Sequence, residues 1–377
     1  MPPTQRALEI ATELGFDLVG VAPLAPAPDA QRYAPWVEAG HHGELAYLER
    51  AQGPIADPAG HFTGGRSLLM VGLGHSRAAL ELAGGARVAR YAAGRDYHNL
   101  MGKLLKRLGR ALVAEGLIEH SRGRVDATPI LERSHAEAAG LGFSSKAANL
   151  LHPRFGPYFF LGELILDVEL DPTPAPRPMG SCGSCTACLD ACPTDAILAP
   201  GVVDGPRCIS FQTIEQRGAI PHELRASMGA WAFGCDVCSE VCPWARKAPD
   251  LAERFGLHAS LDPEQNPGGL LDWLTAPADP GAFAARFQGS PLRRPGRAGL
   301  ARNAAVVLGN QPSEAGREAL QLALAQDPDP VVREAAAWGL LQGHAADEGV
   351  RAHLERALTR EPDTDALAGM RLSLKQS

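Results

Sequence analysis

The sequence predicts an α+β protein of several domains, on three observations. Candidate strands alternate with helices over roughly residues 1–170. All eight cysteines fall between Cys182 and Cys242. From Ala298 onward the chain is nearly all helix-forming residues with short breaks. A length of 377 residues suits two or three domains.

Taken in order, residues 5–15 place apolar side chains at helical spacing, and Asp17 to Ala22 (DLVGVA) predicts a buried strand. Trp36 to Arg50 contains another helix. Ser67 to Leu73 (SLLMVGL), bounded by Gly and Arg, predicts a second strand. Lys103 to Glu115 (KLLKRLGRALVAE) has a helical apolar stripe and a basic opposite face. Ile130 to Ala139 predicts a helix, and Tyr158 to Leu170 (YFFLGELILDVEL) a long strand. The alternation argues for an α/β or α+β domain. The proline-rich DPTPAPRPMG at 171–180 reads as a linker, and the cysteine module covers about 181–247. In the tail, DPDPVVREAAAWGL (327–340) looks like the inner helix of a HEAT-type repeat. Its aspartates and prolines start the helix, Val331 and Val332 begin the apolar face, and Ala335, Ala336 and Leu340 allow close packing. RAGLARNAAVVLGN (297–310) reads as a preceding helix of the same kind. Two such units make a short solenoid that needs a neighbour to pack on.

A hydrophobic content of 45% and a charged content of 21% are those of an ordinary soluble globular protein. The opening MPPTQRALEIATELGF is amphipathic with charges inside it, which excludes a secretory signal, and no apolar run reaches membrane-spanning length. The net charge of −7 confines any nucleic-acid site to a local basic patch.

Cys182, Cys185, Cys188 and Cys192 stand in CGSCTACLDACP, the C-x2-C-x2-C-x3-C-P spacing of bacterial cubane iron–sulfur proteins. Three sulfurs on one tight turn wrap one corner of a cube, and the fourth points away toward a second cluster. Cys208, then Cys235, Cys238 and Cys242 in GCDVCSEVCP, complete two four-ligand sets with nothing left over. By the precedent of two-cluster ferredoxins the sets cross over. Cys182, Cys185, Cys188 and Cys242 then hold one [4Fe-4S] cluster; Cys192, Cys208, Cys235 and Cys238 hold the other. Zinc also uses Cys-x2-Cys but needs neither the x3-C-P tail nor the interleaving, and disulfides fit less well still. Thiolate clusters with no export signal point to a reducing cytoplasm. The expected business of this chain is electron transfer.

Several further strings carry a resemblance: RYAAGRDYH (90–98), VDATPILER (125–133), AGLGFSSK (139–146), HPRFGPYFFLGEL (152–164), RCISFQT (207–213) and the tail's Arg302-Asn303. Together with both cysteine runs they resemble the epoxyqueuosine reductase family over nearly the whole chain. The resemblance implies an α+β multidomain fold. Residues 1–175 would form a cobalamin-binding catalytic α/β domain, and 176–247 a ferredoxin-like double [4Fe-4S] domain. Residues 248–297 would be a connecting segment with a basic patch, and 298–377 a HEAT-like helical domain. It implies reduction of epoxyqueuosine to queuosine at the tRNA wobble position, with electrons passing through the clusters to cobalamin. It also implies a tRNA anticodon stem-loop and an external low-potential donor of flavodoxin or ferredoxin type as partners, a monomer and no membrane.

Opening an epoxide to an alkene requires two electrons and proton delivery to the departing oxygen. Asp126 matches the family's proton donor, and desolvation over the corrin face would raise its pKa. Without the resemblance, Asp126 and Thr128 read as caps for the helix at 130–139. Asp96-Tyr97-His98 begins a D-x-H-x-x-G cobalamin motif, but Met101 stands where glycine is required and Gly102 is one place late. His98 is therefore read as a local hydrogen-bonding or pocket-lining residue, and His41, His42 and His152 as surface or loop residues. By resemblance, the corrin contacts fall near Asp126, Leu150, Leu161, Ser210 and Asp236. Two departures from the family pattern stand at Ser145-Lys146-Ala147 and at Ile55.

Residues 286–302 (RFQGSPLRRPGRAGLAR) carry Arg286, Arg293, Arg294, Arg297 and Arg302 and no acid, a patch suited to a phosphate backbone. Two rival functions share part of this chemistry. A reductive dehalogenase-like cobalamin reductase of a small molecule needs neither the basic stretch nor the helical tail. A plain electron-transfer protein needs no corrin.

Overall fold

The computed structural model describes residues 1–126, 129–173 and 179–376. The chain forms two compact units, each assembled from separated segments. The first comprises Met1–Arg77, Asp96–Pro206 and Val237–Phe255; the second comprises Ala78–Arg95, Arg207–Asp236 and Gly256–Ser377. They cut across the sequential boundaries at 175, 247 and 297.

The first unit is built on α1 (Pro3–Glu13), β1 (Leu18–Pro23), β2 (Ser67–Gly74), α2 (Tyr97–Ala114), β3 (Ser121–Arg124), α3 (Glu132–Ala138) and β4 (Phe159–Leu166). The sheet order is β1-β2-β4-β3, and every neighbouring pair is antiparallel. This corrects the α/β expectation for this region to an antiparallel α+β sheet. Alternation of strands and helices fixes strand direction only when each helix is a crossover between neighbouring parallel strands, and here none is. Every residue of β2 is buried, as its unbroken apolar run requires. Leu68, Met70 and Ile165 pack with Ile130, Ala136, Leu141 and Phe155 into one core. Each buried Leu, Ile, Met or Phe side chain among them contributes roughly 1.5–3 kcal/mol.

On α2 the buried residues Met101, Leu105, Leu108 and Leu112 follow the helical repeat. Asp96 caps this helix, accepting the His98 N–H at 3.0 Å. The acid of the partial D-x-H motif thus has a local job. The helix expected between Trp36 and Arg50 is two helices, Ala30–Glu38 and Ala46–Arg50. Gly40 and Gly43, both at positive φ, separate them. The last strand stops at Leu166, four residues early, because Asp167 turns to accept the N–H groups of Glu119 and His120. The edge strand β3 (SRGR) is polar and left no periodic signal. Of the proline-rich linker, residues 174–178 lie outside the described residues.

The second unit joins a small sheet (Leu80–Glu81, Arg87–Val88, Trp231–Phe233) to helices α4 (Ile209–Ile214), α5 (Gly296–Asn310), α6 (Glu314–Gln326), α7 (Pro330–His344), α8 (Glu348–Arg360) and α9 (Thr364–Gln376). The α7 helix starts where the sequence placed it: Asp329 caps it through the Val331 N–H at 3.0 Å. It packs on α5, α6 and α9. A Cβ at Gly309 would lie 2.5 Å from the Gly339 Cα, so glycine is what lets α5 and α7 touch. Among the described residues, no helix is long and apolar enough to cross a membrane.

Candidate functional site

Two sets of residues in the first unit carry chemistry. The first is the cysteine pocket. Cys182 to Cys185 make a tight turn closed by the Cys185 N–H to the Cys182 carbonyl at 3.0 Å. Cys188 follows on the short helix Ala187–Asp190. These three sulfur-bearing residues, with Cys242 and Cys238, line one pocket. Burial, then Cys182 and Cys242, push the Cys188 thiol up; burial, then Cys182 and Cys185, push the Cys242 thiol up. Thiolates crowded this closely need cations between them. Yet among the described residues no three His, Cys, Asp or Glu side chains come close enough to hold a single metal ion. All eight cysteines are free of disulfides. A ring of cysteines around one pocket fits the cluster ligation that their spacing predicts.

The landmark strings gain physical reasons here. Gly156, at φ 55, leaves room for the chain after Cys242: a Cβ there would meet the Trp244 carbonyl oxygen at 2.8 Å. The Lys146 Nζ donates to the carbonyls of Gly183 at 2.9 Å and Cys185 at 3.0 Å, tying its loop to the cysteine turn. Cys192 accepts the Ala196 N–H at 3.3 Å.

Cys208 and Cys235 belong to the second unit, and there Arg302 and Asn303 explain the tail's RN signature. Arg302 is fully buried. It donates to the carbonyls of Gln212, Gln216 and Gly218 at 2.6–2.8 Å and to the Asn303 side chain. Asn303 donates to the carbonyls of Thr213 and Ala232. Cys208 occupies the cap position of α4, and the Gly234 N–H beside Cys235 bonds the Thr213 hydroxyl at 2.9 Å. The pair thus anchors the backbone after one cysteine and before the other. Arg302→Met is expected to leave these carbonyls unsatisfied at a cost of about 3–5 kcal/mol, measurable as a lower denaturation midpoint.

This corrects the reading of Arg302 as an RNA contact. Arg297 is likewise committed, in a two-bond ion pair with Asp327 at 2.7 and 2.8 Å. Arg286 bonds Asn266, and Arg294 bonds Glu215 while its side chain stays 55% exposed. Arg293 is exposed.

The second set surrounds Asp126. Its backbone is in the left-handed region at φ 55, sparsely used by residues other than glycine and tolerated by aspartate. Its carboxylate is 47% exposed and accepts the Tyr97 hydroxyl; His98 Nε2 lies 3.6 Å away. The Tyr97 ring stacks on Phe160 at 4.0 Å and 6°, and His75 stacks on Phe160 as well. His98 Nδ1 bonds Asp96 at 2.7 Å, in keeping with a local role. Burial works against the Asp96 carboxylate, but its bonds with His98 hold it below the usual range. Asp126 is not a helix cap: α3 begins at Glu132, with Leu131 in the cap position and no side-chain cap. Thr128, the other cap candidate, lies outside the described residues.

Behind Asp126 stand two acids that sequence reasoning passed over. Glu132 accepts the Asp126 N–H at 2.9 Å. Glu163, fully buried, is its neighbour on the sheet side. Burial, then Glu163 and Asp126, push Glu132 well above the usual carboxylate range. An acid inside the apolar run YFFLGELILDVEL was the available signal.

Of the remaining expected contacts, Leu150 is in the core and Leu161 packs against it. Ser210 is on α4, and the Asp236 carboxylate accepts the Arg90 N–H at 2.7 Å. Ile55 is buried. His42 is also buried, bonded to Glu49 at 2.9 Å, and so is no surface residue.

Residues 181–245 match the family model "4Fe-4S double cluster binding domain", and residues 56–127 match "Epoxyqueuosine reductase QueG, DUF1730". The chain is 41% identical over 336 residues to an epoxyqueuosine reductase of Pseudomonas aeruginosa, covering 87% of this chain and 91% of that one. The chain belongs to the epoxyqueuosine reductase family. As a family member it is an oxidoreductase, and its double-cluster domain carries [4Fe-4S] clusters. Two solved epoxyqueuosine reductases share its fold. One, in complex with an epoxyqueuosine-modified tRNA-Tyr stem loop, is 28% identical with a TM-score of 0.84, over 98% of this chain and 97% of that one. The other, from Bacillus subtilis with its catalytic aspartate loop swung out of the active site, is 27% identical with a TM-score of 0.83, over 98% of both chains.

Proposed function

We propose that this chain reduces epoxyqueuosine to queuosine in tRNA with Asp126 as proton donor, two [4Fe-4S] clusters as electron carriers and cobalamin as the reacting cofactor. The observation that carries the reading is the setting of Asp126. An aspartate at positive φ, with its half-exposed carboxylate held by Tyr97 and its backbone N–H held by Glu132, is built to present an acid to a ligand. The catalytic aspartate loop of the Bacillus subtilis relative supports the same role.

Cys182, Cys185, Cys188 and Cys242 hold one cluster in this reading, and Cys192, Cys208, Cys235 and Cys238 the other. Leu161, only partly buried and backed by the core residue Leu150, would supply apolar surface to the corrin, and Ser210 and Asp236 would supply polar groups. When bound, cobalamin supplies a cobalt centre able to break a carbon–oxygen bond, which iron–sulfur clusters do not readily do. Tyr97 orients the Asp126 carboxyl by its hydroxyl bond, and the ring stack on Phe160 fixes Tyr97. The helical tail is read as HEAT-like, the location as the cytoplasm, the state as monomeric, and the electron source as a low-potential flavodoxin or ferredoxin.

Anaerobic reconstitution with iron, sulfide and cobalamin, followed by nucleoside mass spectrometry of a tRNA carrying epoxyqueuosine, tests the reading. Conversion to queuosine is expected. Conversion without cobalamin, or none with it, overturns the cofactor assignment.

The anticodon stem-loop of tRNA is the proposed partner, and the tRNA stem loop bound to the solved relative supports it. Of the basic stretch, the exposed Arg293, and Arg294 with the exposed part of a side chain paired to Glu215, would face phosphate. Arg293→Glu is expected to weaken stem-loop binding several-fold and to lower the salt dependence by about one phosphate contact. An unchanged affinity and salt slope removes Arg293 from the interface.

A further inference from the structure

Reducing an epoxide to an alkene and water consumes two electrons and two protons, and both protons end on the departing oxygen. One aspartate carries one of them. The second has to reach the same oxygen, and a proton held beside the donor within the protein can deliver it.

The residues behind Asp126 are arranged for this. Glu163 sits in the middle of β4, paired in register with Met70 of β2 and with Arg124 of β3, two residues before Asp126. It is fully buried. Its carboxyl neighbours that of Glu132, near enough to hydrogen-bond when one of the two is protonated, and Glu132 in turn accepts the Asp126 N–H at 2.9 Å. Two carboxyl groups in mutual hydrogen bond must share a proton, because a pair of carboxylates has no donor between them. The three acids form a line from the sheet interior to the half-exposed Asp126.

We infer that Glu132 and Glu163 are a proton store for Asp126: Glu132 holds a proton shared with Glu163 and passes it to Asp126 once Asp126 has spent its own. The inference rests on Asp126 being the donor. In the balanced sequence, the Asp126 carboxyl gives its proton to the epoxide oxygen as the first carbon–oxygen bond breaks. The Glu132 proton moves to the Asp126 carboxylate and then to the resulting hydroxyl, which leaves as water as the second carbon–oxygen bond breaks. The two electrons come from the reductant that the reaction already consumes. The store refills from solvent after product leaves. Glu132 is a positioning and relay residue in this scheme, since it touches Asp126 and not the substrate.

The pH consequence has a definite sign. Burial and its two acidic neighbours hold the Glu132 proton well above the usual carboxylate range. The store is therefore full at neutral pH and empties as pH rises through that raised value, so turnover falls on the alkaline side. The other titratable groups on the surrounding elements are Tyr97, His98, Lys103, Lys106, Arg107 and Arg110 on α2, Arg122 and Arg124 on β3, and Arg133, His135 and Glu137 on α3, where Glu137 accepts the Ser144 hydroxyl. Arg124 turns to the Gly123 carbonyl and Arg133 to the Ala148 carbonyl. Burial pushes His135 down to about 4, so it stays neutral.

The test uses the full chain with both clusters and cobalamin. Glu132→Gln keeps an oxygen to accept the Asp126 N–H but has no proton to store. Iron, cobalamin and the KM for tRNA are expected to be unchanged. The kcat is expected to fall about 10-fold or more, and the alkaline limb of its pH profile to vanish. In Glu163→Gln that limb is expected to move to lower pH, because Glu132 ionises more readily without a charged neighbour. Infrared spectra of the wild-type protein at neutral pH should contain a neutral carboxylic acid band that Glu132→Gln lacks. A wild-type kcat and pH profile in Glu132→Gln overturns the store while leaving Asp126 as donor. Full turnover by Asp126→Asn instead overturns the donor assignment itself. Should Glu132→Gln fail to fold, an unmoved limb in Glu163→Gln with no acid band in the wild type overturns the store.

Discussion

Asp126→Asn is expected to keep both clusters, cobalamin and tRNA binding, and to lose turnover by about 10²- to 10⁴-fold, the usual worth of a positioned acid. Asparagine is the informative substitution because it tolerates the left-handed backbone that Asp126 adopts at φ 55. Its side-chain oxygen still accepts from Tyr97, and its N–H still donates to Glu132. Alanine would change the backbone and the proton together; asparagine removes the proton alone. Iron and cobalamin content, stem-loop affinity and queuosine formation by mass spectrometry give the answer. Wild-type turnover would remove Asp126 from the mechanism.

Cys188→Ser is expected to abolish turnover and to lower iron from about eight to about four per chain. Cys188 is half-buried in the pocket, and burial, then its neighbours Cys182 and Cys242, push its thiol up. The turn and short helix at 182–190 bury little apolar surface of their own, since no residue of that helix is fully buried. The cluster is therefore a strap for this segment as well as an electron carrier, and losing it should loosen the fold locally. Iron analysis, electron paramagnetic resonance of the reduced protein and thermal melting check both halves. Full iron and an unchanged melting temperature would remove Cys188 from the ligand set.

Much of this was legible in the chain. The 4Fe-4S double-cluster domain needed only the cysteine spacing, because thiols on one tight turn are a short-range pattern. The start of α7 at 327–330 was legible because capping is decided within one turn. Strand direction was not legible, since β2 and β4 pair antiparallel across more than eighty residues of chain and periodicity carries no sign for direction. The helical-cap reading of Asp126 failed because the segment after it does not enter the helix until Glu132. Arg302 looked like one more surface charge in a basic run. Its full burial depends on carbonyls about ninety residues earlier, which no local pattern reports.

By itself the sequence determined the metal chemistry, the helical tail and the family, because each is written in residue types at short spacing. Only the tertiary structure decided which acids stand together and which arginines are committed to the interior. Glu132 and Glu163 are thirty-one positions apart and met Asp126 only when β4 was laid beside β3. A proton's position depends on such through-space neighbours, since burial and nearby charge set a carboxyl's proton affinity and neither is a property of the chain read in order.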